Sequence, residues 1–231
     1  MRTRSKLLVG GALLLTSVGG GLGVVNYALD DTKVNTYAIS GPVHEIVVKS
    51  GSGNVDLIPA GTGVEVRETQ HYVSERPTLD RTLAGGVLTI DSHCGTVLLR
   101  CLADLRVAVP AGVKVTVEAD SGDIAAEGID VREAHVRSDS GDIALELAGR
   151  QGLVWAHTDS GNVDTTVAAA REVDAQTDSG DVDVTVPRGD YAVDAATDSG
   201  DVKIDGIARN DHAPKSIKAW TDSGNVTLRA G

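Results

Sequence analysis

The stretch that decides the fold is VWAHTDSGNVDTTV at residues 154–167, because the chain writes it again at 173–186 as VDAQTDSGDVDVTV and in part at 193–204. Before the central Asp-Ser-Gly, Val154, Ala156 and Thr158 alternate with polar or bulky residues; after it, Val163, Thr165 and Val167 do the same. Val173, Ala175 and Thr177 lead into Val182, Val184 and Val186 in the second copy, and Val193, Ala195 and Thr197 lead into Val202 and Ile204 in the third. Alternation of period two marks half-buried β-strands, with these residues on one face and Asp164, Asp174, Gln176, Asp183 and Lys203 on the other.

Working outward, Asp-Ser-Gly followed by Asp or Asn begins at Asp120, Asp139, Asp159, Asp178, Asp198 and Asp222, in steps of 19, 20, 19, 20 and 24 by subtraction. A fixed period of this length is the signature of a repeat architecture, here with two strands and two turns per unit. Gly122, Gly141, Gly161, Gly180, Gly200 and Gly224 would be its structural turns, supplying a positive φ at each reversal. The Asp before each of them is expected to accept nearby backbone amides, as in Asx turns.

These strands fit either a coil in which each repeat stacks on the next or a meander folded into a sandwich. A meander with one apolar face needs a cover, and no amphipathic helix follows residue 30. Stacked coils cover themselves. The expected class is therefore all-β, a β-solenoid or β-roll of stacked two-strand repeats, preceded by one N-terminal transmembrane or signal helix. Residues 31–112 carry degenerate copies and 113–231 regular ones. Ile46, Val48 and Ser50 precede Gly51-Ser52-Gly53-Asn54, with Val55 and Leu57 after; Leu88, Ile90 and Ser92 precede His93-Cys94-Gly95-Thr96, with Val97 and Leu99 after. Val64 and Val66 begin a further strand, and Leu105, Val107 and Val109 form another.

Residues 1–30 read as a membrane anchor or signal segment. Leu7 to Leu29 is uncharged, follows Arg2, Arg4 and Lys6, and precedes Asp30 and Asp31. A run of about 20 apolar residues spans a bilayer, and basic flanks stay inside. The expected location is the cell membrane, single-pass, with the repeats extracytoplasmic, or secreted if the segment is cleaved. In such an oxidising compartment Cys94 and Cys101, the only two cysteines, are expected to form a disulfide.

Aromatic residues make up 3% of the chain and Phe is absent, so the core must be aliphatic. A net charge of −12 argues against nucleic acid as a partner. If the repeats stack, Asp120, Asp139 and Asp178 fall in one carboxylate column and Asp123, Asp142 and Asp181 in a second. These six are the calcium candidates. Asn162 and Asn225 interrupt the second column, and an amide keeps a hydrogen bond while losing charge, which favours backbone bonding over metal. Carboxylates flanking a bond would suffice for a glycan hydrolase, yet identical rungs offer no pair with divergent pKa values. No catalytic residue and no cofactor site is expected.

Serial Asp-Ser-Gly-Asp-Val turns, paired cysteines ahead of Val109-Pro110-Ala111-Gly112 and the apolar N-terminus together resemble the bacterial DUF4097 family, an actinobacterial-type adhesin family. The resemblance covers roughly Lys33 to Gly231 and implies a non-catalytic β-strand-repeat domain on the cell envelope. It carries no site residue. The function expected is a surface adhesin or binding module, with an envelope protein or glycan as partner. Trp155 and Trp220 fall on outward positions and are candidates for stacking on a sugar or a partner surface. The alternative is an envelope scaffold or stress-response component that self-associates through the terminal strand, Asn225 to Arg229, read as an uncapped edge.

Overall fold

The computed structural model describes residues 31–231 apart from 62 and 96–99. The expected N-terminal helix lies outside them, as do Val97 and Leu99; no helix among the described residues is long and apolar enough to cross a membrane.

The strands run β1 (Asp31–Ile39), β2 (Glu45–Ser50), β3 (Val55–Pro59), β4 (Val64–Tyr72), β5 (Thr78–Ala84), β6 (Val87–His93), β7 (Cys101–Val109), β8 (Val113–Ser121), β9 (Ile124–Ser140) and β10 (Ile143–Ala148). They continue as β11 (Gln151–Ser160), β12 (Val163–Val167), β13 (Ala170–Ser179), β14 (Val182–Val186), β15 (Asp190–Ser199), β16 (Val202–Asp205), β17 (Ala208–Arg209), β18 (Ser216–Ser223) and β19 (Val226–Ala230). Each rung is a strand entering a glycine corner and a strand leaving it. Entering strands form one sheet and leaving strands the other, with parallel pairing between rungs. This is the stacked coil, not the meander.

The rungs do not stack in sequence order. From one end they run β6/β7, β2/β3, β8 with the start of β9, the end of β9 with β10, β11/β12, β13/β14, β18/β19 and β15/β16. Both chain-end rungs are thus tucked one place inward. The terminal strand is consequently not an edge: β19 lies between β14 and β16, and the outermost rung is β15/β16. At the opposite end the parallel stack is closed by antiparallel strands, β4 on β7, β1 on β4, and β5 on β6. The degenerate second copy also differs from expectation, since β6 is followed across its corner by β7, whose Leu105 stands in register with Val55.

Between the sheets lies an aliphatic core in which Val154, Val182, Val184 and Val226 are all 0% exposed. Each such valine contributes about 1.5–3 kcal/mol by leaving water. Thr158, Thr177 and Thr221 are buried among them for a reason beyond size. Their hydroxyls donate to the carbonyl oxygens of Gly141, Gly161 and Gly180 on the preceding rung, at 3.0, 2.8 and 2.9 Å.

Candidate functional site

The corner is built by a column of glycines. Gly161 has φ +140°, and a Cβ there would stand 2.2 Å from the Gly141 carbonyl oxygen. Its N–H donates to the Ser179 carbonyl of the next rung at 2.9 Å. Rungs therefore meet backbone to backbone at this edge, and a side chain would force them apart.

The Asx role expected of the Asp before the glycine belongs instead to the residue after it, and it acts between rungs. Asn54 donates its backbone N–H to Asp104 Oδ1, Asp123 to Asn54, Asp142 to Asp123, Asn162 to Asp142, Asp181 to Asn162, Asn225 to Asp181 and Asp201 to Asn225, at 2.7–3.1 Å. In spatial order the column reads Asp104, Asn54, Asp123, Asp142, Asn162, Asp181, Asn225, Asp201. Asp123 and Asp142 are its only adjacent carboxylates. At about 4.8 Å per rung each further Asp–Asp neighbour would add repulsion of about 1 kcal/mol before screening.

The calcium candidates divide accordingly. Asp123, Asp142 and Asp181 accept backbone N–H groups, Asp139 takes Arg137 Nη2 at 3.2 Å, and Asp120 and Asp178 stand exposed at the corner. Among the described residues no group of three or more His, Cys, Asp or Glu side chains converges as a metal site requires. Cys94 and Cys101 are disulfide-bonded, tying the residue after β6 to the first residue of β7.

The outer face of the entering-strand sheet gathers a different chemistry. Alternation along β11, β13 and β18 turns Trp155, His157, Asp174, Gln176, Lys218 and Trp220 outward, with Trp155 in register with Asp174 and Gln176 with Trp220. The Trp155 and His157 rings stack with centroids 3.8 Å apart, and the His135 ring centroid lies 6.2 Å from that of Trp155. His157 Nε2 lies 2.9 Å from Asp174 Oδ1, which also accepts Gln176 Nε2 at 2.5 Å; Lys218 Nζ is 3.9 Å from Oδ2. Burial pushes the Asp174 carboxyl up, but the hydrogen bonds from His157 and Gln176 and the charges of His157 and Lys218 outweigh it and hold it below the usual range. Both tryptophans are half-buried at their edges, two rungs apart and offset by two residues, hence roughly 12 Å from one another. The alternation pattern located the tryptophans. The His157–Asp174 bond gave no such signal because its partners are 17 residues apart.

On the opposite sheet, small Ala125 and Ala144 leave an open trough beside Glu127, Glu146 and Asp164. Desolvation raises the Asp164 carboxyl, with repulsion from Asp183 adding to it and Arg229 opposing it. This trough is an open strand surface, with Thr166 also on its lining. Equally unsignalled in the sequence is Glu68, fully buried in the antiparallel cap, where it accepts Asn35 Nδ2 at 2.9 Å, Tyr37 OH at 3.2 Å and Gln70 Nε2 at 2.7 Å.

Comparison with known proteins agrees with this architecture. The Toastrack DUF4097 family model matches residues 15–229. A proposed cell adhesion protein from Clostridium sporogenes is similar with a TM-score of 0.54 at 11% identity, over 87% of this chain and 100% of that one. A proposed adhesin from Bacteroides fragilis gives 0.42 at 11%, over 86% and 97%, and one from Parabacteroides distasonis gives 0.42 at 13%, over 87% and 98%. The first likeness concerns the fold alone; the other two carry no further weight. No curated protein matches the chain.

Proposed function

The chain belongs to the Toastrack DUF4097 family, and from that premise we propose that it is a non-catalytic binding module of the cell envelope whose working surface is the Trp155–His157–Asp174–Trp220 face. The observation that carries this reading is the pairing of two outward tryptophans with a fixed polar cluster between them. Aromatic faces stack on the apolar faces of sugar rings, while Asp174, Gln176 and Lys218 offer acceptors and donors to hydroxyls. An extended glycan suits a flat, rigid strand surface better than an enclosed small molecule does. The similarity to the proposed cell adhesion protein from Clostridium sporogenes supports the same reading, as does a carboxylate set spread over open faces. The uncharged run Leu7 to Leu29 and the disulfide support display of the repeats outside a membrane.

The test is titration of the full-length protein with envelope glycan fragments, read by tryptophan fluorescence. The expected result is saturable quenching that Trp155→Ala and Trp220→Ala each weaken about tenfold, equivalent to about 1.4 kcal/mol. Quenching unchanged in both variants, or absent with every glycan, would reject the face as the site.

A further inference from the structure

The repeat grammar specifies what each rung expects from the next, and the outermost rung, β15/β16, has no next rung. Val202 is 41% exposed, whereas Val163, Val182 and Val226 at the same place in inner rungs are 1%, 0% and 0% exposed. No described strand pairs with the outer edge of β16, and β17 covers β15 only at Asp190 and Tyr191. The Asp201 carbonyl and N–H face β19 and Asn225, so alternation turns the N–H and C=O of Val202 and Ile204 outward. Gly224, one rung inward, donates its N–H to Ser199 and accepts the Thr197 hydroxyl. The matching groups of Gly200 have no described partner, and Asp201 is the end of the carboxylate–amide column.

We propose that this edge is an interface between two copies of the chain, related by a two-fold axis at Val202. In that arrangement β16 runs antiparallel to β16 of the second copy. Val202 bonds reciprocally to Val202, and Gly200 meets Ile204, so the outward backbone groups of all three residues are satisfied. On the outer face Asp201 stands opposite Lys203 of the second copy, and Lys203 opposite its Asp201. These are two opposite-charge pairs generated by one symmetry operation. On β15, Thr197 flanks the same corner and meets its own copy, which places Asp198 opposite Ala196 and not opposite another carboxylate. The register leaves β17 undisturbed. Charge complementarity selects a second copy over a foreign strand, because the edge supplies both signs at the spacing it needs itself. The contact is only two strands wide, so it is a weak association that requires chains held close together.

Covalent trapping tests it in the full-length protein, where the two native cysteines are already paired. Directly opposite Cβ atoms lie about 4.5–5.5 Å apart, close enough for a disulfide with slight adjustment. Val202→Cys is expected to give a disulfide-linked dimer under mild oxidation. Adding Asp201→Lys or Lys203→Asp should cut the trapped fraction at least fivefold, and adding both should restore it. Both side chains are exposed and Asp201 accepts no bond from another described rung, so neither change should shift the melting temperature. A Val202→Cys variant that stays monomeric, that links to a different protein, or that is trapped equally with one charge reversed overturns the proposal. The result is separable from glycan recognition, since Trp155 fluorescence reports that independently.

Discussion

Asn162 Oδ1 accepts the backbone N–H of Asp181 on the next rung at 2.9 Å. This bond makes one residue type serve two purposes: it secures the rung above, and it interrupts a row of carboxylates. Replacement by Ala and by Asp should separate the two. Asn162→Ala loses an acceptor at a wet edge and is expected to cost about 0.5–1.5 kcal/mol, independent of salt. Asn162→Asp keeps the acceptor but creates an unbroken row from Asp123 to Asp181. Its melting temperature should fall at low ionic strength and recover toward wild type in high salt. Equal salt dependence in the two variants would contradict this division.

At Gly161 the requirement is steric. A methyl group 2.2 Å from the Gly141 carbonyl at φ +140° leaves no small adjustment, because both atoms belong to stacked backbones. Gly161→Ala should therefore lower unfolding free energy by more than about 3 kcal/mol. Gly152→Ala serves as the control, since its nearest atom beyond the chain neighbours is 3.6 Å away. Urea denaturation of both variants decides it; comparable midpoints would contradict the close-approach account.

Glu68 holds β1 to the stack through donors from Asn35 and Tyr37, and also accepts Gln70 of its own strand. Removing the carboxylate in Glu68→Ala leaves those donors short of an acceptor in a buried place, at a cost of about 1–3 kcal/mol. The loss should be local. Hydrogen exchange is expected to speed up in β1 and β4 while β11 and β13 keep their protection, and uniform acceleration throughout would contradict a cap-specific role.

Asp174 predicts an acid limb. Its carboxyl is held below the ordinary value of 3.8 in the folded protein, so ionised Asp174 stabilises the fold above that pH. The contribution disappears as pH falls through the lower folded value. Asp174→Asn should flatten the decline in melting temperature below about pH 4, and His157→Ala should weaken it by removing the leading favourable bond. An unaltered acid limb in Asp174→Asn would contradict the assignment.

Much of this was legible in residue order. The pattern around residues 154–186 marked every inward valine and threonine of two rungs, the corner glycines Gly161 and Gly180 and the outward Trp155, because strand alternation and positive φ are local properties. Cys94 and Cys101, two cysteines close in sequence, are joined in a disulfide. In the second degenerate rung the leaving strand is β7, whose Leu105 pairs in register with Val55; Val97 and Leu99, assigned that role from residue order, lie outside the described residues. Glu68 gave no signal at all, since a lone Glu in a strand usually faces water.

The sequence by itself determined the rung: two alternating strands, one face aliphatic, joined by a glycine that only a tight backbone stack requires. The order of the rungs was decided only in three dimensions. Parallel rungs with the same inward Val-Ala-Thr and Val-Val pattern can pair with one another in any sequence, so local grammar cannot rank the alternatives. The tertiary structure does so through loop reach and end caps, tucking β2/β3 and β18/β19 inside and leaving Val202 at the rim. That choice also sets Asn225 between Asp181 and Asp201, a charge separation that does not exist along the chain and arises only when its last rung folds back into the stack.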